Sequence, residues 1–508
     1  MTTRRLIARA SLEHLAPTFV AIREREGVSA DRPAQVAKEL SLVRQREEAG
    51  VGELDHVEGQ RHDLSDLPFV TVDPVGAKDL DQAVMITRTR SGWRVRYAIA
   101  DVAAHVTPGG AIDADSWRRG QTIYCPDLRV GLHPPAMSEG FASLLPGQRT
   151  KAVVWDMQVG ADGSLGLHDV FRAWVRSVRQ YSYDDLRAAS VDGSLARGDV
   201  QAQDFAQLLG EVGAARRAAM DRAGAVSLSK PSQEITSEGG RLQLEFRAGS
   251  GIEEDNAQIS LMTGIIAAKL MLEAGVGVLR TMPPASHEAL ARLRHQATAL
   301  GIDWPPGHSY GDVLRTVDPS SGPGAAFLTA AVVLFRGARW EGFDTAAGLQ
   351  VPAQHLHGAL AAPYAHVTAP LRRLVDRYGT EVCLAYVSGR PTPAWVREAI
   401  SGIGQTMAGS ATLAGRVDRA CIDAVEAAVL APHLGKVFTG VALDNRTVQL
   451  SNPAVIARCR GSAVAGQRQR VRLVSAAVDQ GAIFEVVTQQ AGGVASEEDA
   501  LRVQAKEA

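Results

Sequence analysis

The stretch F-V-T-V-D-P-V-G-A-K-D-L-D-Q-A, Phe69–Ala83, is the one around which the rest of the chain is organised. An apolar, β-branched run ends at Asp73, Pro74 and Gly76 break the strand, and Asp79 and Asp81 follow with Gln82 beside them. Three carboxylates this close repel one another, and such a cluster persists where a hard divalent cation neutralises it. If the segment around residue 80 is extended, Asp79 and Asp81 project to one side, because side chains alternate along a strand. Asp73 reaches that side through the Pro-Gly turn. Oxygen-only donors suit Mg²⁺, with Mn²⁺ as a substitute, rather than zinc. The pattern is not an EF-hand, since the D-x-D-x-D-G spacing and closing Glu are missing. The competing reading is an acidic turn whose aspartates cap backbone amides.

Arg61–Ala83 as a whole resembles the signature of the ribonuclease II (RNB) family of processive 3′→5′ exoribonucleases. Further stretches match along the chain, so that the resemblance covers roughly Arg61–Val487. It implies that Asp73, Asp79 and Asp81 bind Mg²⁺ and position the attacking water, with Asp81 most tied to the chemical step. The fourth family aspartate is Gln82 here, whose amide oxygen ligates a cation without bringing charge. R-G-Q-T-I-Y-C-P-D (Arg119–Asp127) places Tyr124 against the 3′-terminal nucleotide; the alternative is a core tyrosine before a proline turn. V-R-Q-Y-S-Y-D-D-L (Val178–Leu186) places Tyr183 at a second aromatic position, with Tyr181 the alternative if the register slips by two. Stacking suits an enzyme that must not read sequence, because every base has a π-face.

In I-E-E-D-N-A-Q-I-S-L-M-T-G (Ile252–Gly264), Glu253 or Glu254 matches a family glutamate that contacts sugar hydroxyls, the group that distinguishes RNA from DNA. Acidic residues in a first helical turn are equally explained by the helix dipole. Y-A-H-V-T-A-P-L-R-R-L-V-D-R-Y (Tyr364–Tyr378) places Arg372 on the scissile phosphate, where a guanidinium offsets transition-state charge. Arg373 is an adjacent RNA-binding candidate that points elsewhere on a helix expected to begin at Pro370. His366 reads as structural rather than as a general base. Gly415 falls where the family carries another glutamate, so one RNA contact is absent by this reading.

The pattern of elements implies an α+β multidomain chain. An N-terminal helical unit, helix-turn-helix-like or simply a packing pair, is expected at 1–64, where Leu12, Leu15, Phe19 and Ile22 recur at helical spacing. The expected RNB catalytic domain at 65–432 has a mixed sheet surrounded by helices. Strands are expected at Phe69–Val72, Ala83–Thr89, Trp93–Val106, Lys151–Val159 and Leu165–Val175. The helices are expected at Val200–Gly224, Ile252–Gly275, Ser286–Gly301, Gly324–Arg339, Pro370–Val387 and Trp395–Leu430. Five short strands at 433–488 predict an OB-type barrel. Its Arg458, Arg460, Arg468, Arg470 and Arg472 suit phosphates, or simply form a solvated face. A flexible tail is expected at 489–508.

Among 508 residues, 45% are hydrophobic and 22% charged, with a formal net charge of -2. RNA binding by such a chain calls for a local positive groove rather than overall charge. Cys125, Cys383, Cys421 and Cys459 form no C-x-x-C pair, against zinc and against a disulfide scaffold. The start lacks the apolar core of a signal peptide and no membrane span is expected, which together with the cysteines fits a reducing cytoplasm; a monomer is expected. The implied activity is Mg²⁺-dependent processive hydrolysis of single-stranded RNA to 5′-mononucleotides. Gln82, Gly415 and the helical N-terminus support a rival, a non-catalytic RNA-binding protein on the same scaffold. A helix-turn-helix DNA regulator is the third reading.

Overall fold

The structure, a computed structural model, describes residues 11–50, 54, 56–57, 59–191, 200–228, 230–238, 241–249, 251–478 and 480–487. The tail expected at 489–508 lies outside them.

Two helices open the described chain. In α1 (Leu12–Arg25) the Ser11 side chain caps the amide of His14, and α2 (Ala34–Glu48) is entered from Pro33. Strands β1 (His62–Asp63), β2 (Phe69–Val72), β3 (Gln82–Thr89) and β4 (Gly92–Ala100) follow. Next come α3 (Ala111–Arg119), the small pair β5 (Ile123–Tyr124) and β6 (Arg129–Val130), and the long strands β7 (Arg149–Gly160) and β8 (Leu165–Tyr181). The sheet runs β1-β8-β2-β3-β4-β7 and returns on itself through β8. The first part of β8 is antiparallel to β7, and its last residues run parallel to β2, with Tyr181 opposite Val72.

That topology places the site. The C-terminal ends of β2 and β8 emerge at the same edge because the two strands are parallel. Antiparallel β3 begins there, with Gln82 opposite Ile99 near the end of β4. Asp73, Asp81 and Tyr183 are thereby delivered to one rim by strand polarity alone.

Helices α4 (Tyr183–Val191) and α5 (Val200–Arg222), the hairpin β9 (Ser232–Glu238) and β10 (Arg241–Arg247), and helix α6 (Gly251–Ala274) come next. Then β11 (Val276–Thr281), α7 (His287–Leu300), α8 (Tyr310–Thr316), α9 (Gly322–Ala331) and β12 (Arg339–Asp344) lead to α10 (Leu374–Val387) and α11 (Ala394–Leu430). By length and composition α6 could cross a bilayer, but Ile259, Met262, Ala267 and Met271 are fully buried in the core. The sheet and helices α5, α6 and α10 share that core, which holds Tyr97, Trp155 and Tyr378. Burying each such side chain contributes roughly 1.5–3 kcal/mol.

The expected strand Trp93–Val106 stops at Ala100, where Val102–Ala104 turns into a 3₁₀ segment. The last expected strand of the sheet runs six residues longer, to Tyr181. The helix expected from Pro370 begins at Leu374, because Arg373 is extended and its backbone bridges to Gln121.

Strands β13 (Val437–Ala442), β14 (Thr447–Ser451), β15 (Ala454–Arg460), β16 (Arg468–Ala477) and β17 (Gly481–Val486) close a barrel in the order β13-β14-β15-β17-β16. Phe438 and Phe484 meet edge to face inside it. The 37-residue α11 belongs to both halves. Ile400 and Met407 pack in the main core, and Val417 to Leu430 pack with the barrel.

The N-terminal helices join two different clusters instead of forming a unit of their own. Leu15, Phe19 and Ile22 of α1 pack with α11 and the barrel. Val36 and Val43 of α2 pack with Phe69, Leu80 and Ile112. Arg32 donates to the carbonyls of Gly131 and His133, at 2.6 and 2.8 Å, and Glu47 pairs with buried Lys151. A helix-turn-helix offering a free recognition helix is not what these contacts build.

Candidate active site

The turn between β2 and β3 carries the carboxylates and is fixed by its backbone. Gly76 takes a φ of +81° and the amide of Ala77 donates to Pro74, closing a turn that a side chain at residue 76 would strain. Ser143 Oγ accepts from the Leu80 amide at 2.9 Å and donates to the Lys78 carbonyl at 2.7 Å. Gln180 Nε2 donates to the Ala77 carbonyl at 3.0 Å. Leu80 is fully buried between the two aspartates it separates.

Asp81 is buried at the centre. Its Oδ1 accepts from the Leu371 amide at 2.7 Å, and its Oδ2 lies 3.3 Å from Arg372 Nε. Burial pushes its carboxyl up to about 7, against the opposing pull of Arg372. Asp73 is pushed up to about 7 by burial as well, with Arg372 offsetting and Asp79 adding to the effect. Asp73 Oδ2 is buried with no hydrogen-bond partner. Arg372 reaches out of the pocket, about half exposed, and its guanidinium bonds the hydroxyl of exposed Tyr124.

Two expected metal ligands are engaged elsewhere. Asp79 pairs with Arg129, whose guanidinium also holds Glu139. Gln82 is spent as a tie: its Oε1 accepts the Tyr97 hydroxyl at 2.5 Å and its Nε2 donates to the Thr368 carbonyl at 2.6 Å. Tyr97 is itself 2.8 Å from Ser260 Oγ on α6. Among the described residues no three or more His, Cys, Asp or Glu side chains converge on one metal position. The donors that do fit a hard cation are half-buried Asp73 and buried Asp81: oxygen-only, desolvated, with Arg372 beside them, and with Asp73 Oδ2 unpartnered.

Around this pocket the other expected residues sort clearly. Tyr183 opens α4 at the rim, bonded to Asn256 and within the fields of Asp73 and Glu253. Tyr181 is core, stacked on Phe205. Glu253 is half-buried and pairs with exposed Arg247, whereas Glu254 is exposed. Arg373 is held by Asp376 through 3.0 and 2.7 Å bonds, so its guanidinium is committed inside the protein rather than offered to RNA. His366 accepts from Trp340 Nε1 at 3.1 Å, and burial holds it well below the usual imidazole range, a neutral structural residue. Gly415 is exposed on α11 with open space around it.

Arg458, Arg460, Arg468, Arg470 and Arg472 all face outward on the barrel, alternating with buried Ala457, Cys459, Val471 and Leu473. Glu485 lies between Arg460 and Arg472 across three strands. A cleft of about 1060 Å³ separates the barrel, at Thr439, Gln449 and Arg468, from Gln243, Glu245 and Phe246 of the hairpin. The residues that sequence reasoning missed are Arg129, Glu139, Tyr97, Ser260 and the Leu371 amide. Arg129 lay in view five residues after Tyr124, but nothing in the local pattern aims it at Asp79.

A curled mixed sheet with a buried carboxylate–arginine pocket at its rim, followed by a five-stranded barrel, is the architecture of a nucleic-acid-processing enzyme class. The RNB domain model matches residues 61–387, and the model of the RNase II-type exonuclease C-terminal S1 domain matches residues 436–487. The chain belongs to the RNB family. It is 27% identical over 333 residues to Ribonuclease R of Escherichia coli, which covers 62% of this chain and 39% of that one. It is 33% identical over 199 residues to Ribonuclease R of Acidithiobacillus ferrooxidans, covering 39% and 43%. The alignments thus span less than half the length of these relatives. The fold matches Mycoplasma genitalium RNase R in complex with ribose methylated single-stranded RNA, at TM-score 0.79, 17% identity, and coverage of 92% of this chain and 78% of that one. It also resembles yeast Ssd1, a pseudonuclease, at TM-score 0.59, 15% identity, and coverage of 81% and 52%.

Proposed function

We propose that the chain is a 3′→5′ exoribonuclease that hydrolyses single-stranded RNA processively to 5′-mononucleotides with Mg²⁺. The observation that carries this reading is the pair of carboxylates, half-buried Asp73 and buried Asp81, set beside a half-exposed Arg372 that contacts both Asp81 and Tyr124. Both carboxyls are held at the expense of desolvation, Asp73 with one oxygen unpartnered, and perturbed groups of that kind concentrate at functional sites.

In this mechanism Asp73 and Asp81 would hold the cation, which would supply Lewis-acid activation of water and charge stabilisation at the leaving oxygen. Leu371 fixes one oxygen of Asp81 and leaves the other toward Arg372. Arg372 takes the scissile phosphate with its free N–H groups and offsets the charge that grows there. Tyr124 and Tyr183 flank the terminal nucleotide and stack without selecting a base. Glu253 contacts a ribose hydroxyl. The outward arginines of the barrel contribute phosphate contacts upstream.

The names of the relatives and their RNA complex support this assignment. The rival, an RNA-binding protein without catalysis, draws support from Asp79 bound to Arg129, Gln82 tied to Tyr97, and a fold shared with a pseudonuclease. A 3′-labelled oligoribonucleotide incubated with the full chain and Mg²⁺ separates the two. Release of labelled 5′-mononucleotide as the first product, abolished by EDTA, is the expected result. Tight binding with an intact oligonucleotide establishes the rival.

A further inference from the structure

The hairpin of β5 and β6 has two faces. Tyr124 pairs with Arg129 and Ile123 with Val130, and the Cys125 amide donates to the Leu128 carbonyl at 3.0 Å to close the turn. Side chains alternate along each strand, so Tyr124 and Arg129 leave one face while Ile123 and Val130 leave the other. The first face serves the pocket: Tyr124 is exposed and Arg129 bonds Asp79. Just ahead of it, the Thr122 amide donates to the Arg372 carbonyl at 3.0 Å. The second face belongs to α1, because Ile123 and Val130 are buried in one cluster with Leu15, Phe19 and Ile22. Three arginines reinforce that contact. Arg23 of α1, itself buried, grips Asp127 in the turn with a two-pronged bond, Nη1 to Oδ1 at 2.6 Å and Nη2 to Oδ2 at 2.9 Å. Arg32, between α1 and α2, donates to the carbonyls of Gly131, Leu132 and His133 at 2.6, 3.2 and 2.8 Å. Arg119 donates in the other direction, to the carbonyls of Ser29 and Asp31 at 3.0 and 2.8 Å. The hairpin is therefore held before its first strand, at its tip and after its second strand, each time by the N-terminal helices or the loop that joins them.

We propose that the N-terminal helices hold the hairpin that presents Tyr124 to an RNA 3′ end, with Arg23 as the positioning residue at its tip. A two-pronged guanidinium–carboxylate pair fixes orientation as well as distance, which a lysine does not. Asp127 sits in the turn between Tyr124 and Arg129, so the pair sets where both side chains stand. The ladder consists of those two residue pairs alone, and so short a hairpin is not stable without outside support. Arg23 touches no reacting group in this role; it acts through Asp127 and the turn. Loosening the tip leaves Asp81 and Arg372 in place and removes the fixed surface on which the terminal base stacks. A misplacement of about 1 Å at such a contact costs up to about 10²-fold.

The hold on the hairpin is independent of what the protein does with RNA; the effect on RNA rests on the proposed function. The experiment therefore reads both, on the full chain as wild type, Arg23→Gln and Asp127→Asn. Hydrogen–deuterium exchange of the hairpin amides is expected to quicken at least about tenfold in each variant, while that of β7 keeps the wild-type rate. Affinity for a single-stranded oligoribonucleotide in EDTA is expected to fall about 3- to 30-fold in each, and no further than in Tyr124→Ala. Added to Tyr124→Ala, Arg23→Gln is expected to cost nothing more, whereas an arginine that only supports the fold lowers affinity equally in both backgrounds. Arg23→Lys, with the charge but not the fork, is expected to fall between wild type and Arg23→Gln. If Arg23→Gln does not fold, Asp127→Asn makes the same comparisons from the more exposed end of the pair. Hairpin exchange that is unchanged, or that quickens equally in β7, overturns the proposal. So does unaltered RNA affinity in the variants, or a loss that adds to that of Tyr124→Ala. A wild type that binds no RNA overturns the proposed function instead, and the exchange rates still decide whether Arg23 holds the hairpin.

Discussion

Replacing Gln82 by Glu should destabilise the protein, and do so more at pH 8 than at pH 5. Gln82 ties three elements together: Tyr97 of β4 donates to its Oε1 at 2.5 Å, and its Nε2 donates to Thr368 ahead of α10 at 2.6 Å. Glutamate keeps the length and the acceptor for Tyr97, but an ionised carboxylate has no proton for Thr368. Leaving that carbonyl unpaired costs about 1–3 kcal/mol. A further negative charge beside Asp73 and Asp81, both already raised by burial, adds to the loss. The sum is on the order of 2–5 kcal/mol. The sign with pH follows from the proton. When protonated, the new carboxyl donates to Thr368 and the tie survives; the penalty appears as pH rises and that proton leaves. Thermal melts of wild type and Gln82→Glu in EDTA at pH 5 and pH 8 measure it. A variant as stable as wild type, or one equally destabilised at both pH values, would refute the tie and return Gln82 to the list of cation ligands.

Other outcomes follow from the same contacts. Arg372→Lys keeps the charge but loses the fork that spans Asp81, Tyr124 and a phosphate, so kcat should fall about 10²–10³-fold with the melt unchanged. Tyr124→Ala should cost about 1–3 kcal/mol in affinity for an RNA 3′ end, read by titration in EDTA, whereas the exposed Glu254→Ala should cost nothing. Glu426 on α11 takes Gln233 Nε2 at 2.7 Å and the Ile456 amide at 3.1 Å, joining the hairpin to the barrel, and burial pushes it up to about 7. Arg419 pulls it back down and Asp423 adds to the rise. An unfolded glutamate ionises near 4.5, so the native state holds its proton longer and loses stability as pH rises from about 4.5 to 7. Glu426→Gln, which mimics the neutral acid, should melt higher than wild type at pH 8 by at most about 3 kcal/mol in stability, with the gap closing at pH 5.

How much of this was legible in the sequence depended on how local each signal is. The strand Phe69–Val72 and the barrel strands were readable because alternation and turn residues are written in consecutive positions. The carboxylate turn was readable for the same reason, and Arg372 through its long motif. The partners of those residues were not. Arg129 reaches Asp79 across 50 positions, and the Leu371 amide reaches Asp81 across 290. No periodicity encodes such distances; they come from the parallel pairing of β2 with β8 and from the loop ahead of α10. The alternation argument for Asp79 and Asp81 failed because the loop is not a strand: Ser143 pins its backbone and Arg129 draws Asp79 away. The N-terminal helices were recognisable as helices, but their apolar faces do not say what covers them. Here the body covers them, in two separate places.

The central claim is that the pocket formed by Asp73, Asp81 and Arg372 cleaves the terminal phosphodiester of RNA. Single-turnover degradation of a 5′-labelled single-stranded RNA in Mg²⁺, by wild type and by Asp81→Asn, tests it most directly. Asparagine preserves the acceptor for the Leu371 amide and leaves the fold intact. The expected result is a ladder shortening from the 3′ end with wild type, and full-length RNA still bound but at least about 10³-fold more slowly shortened with Asp81→Asn. Equal rates for the two proteins, or no shortening by wild type, would contradict the account.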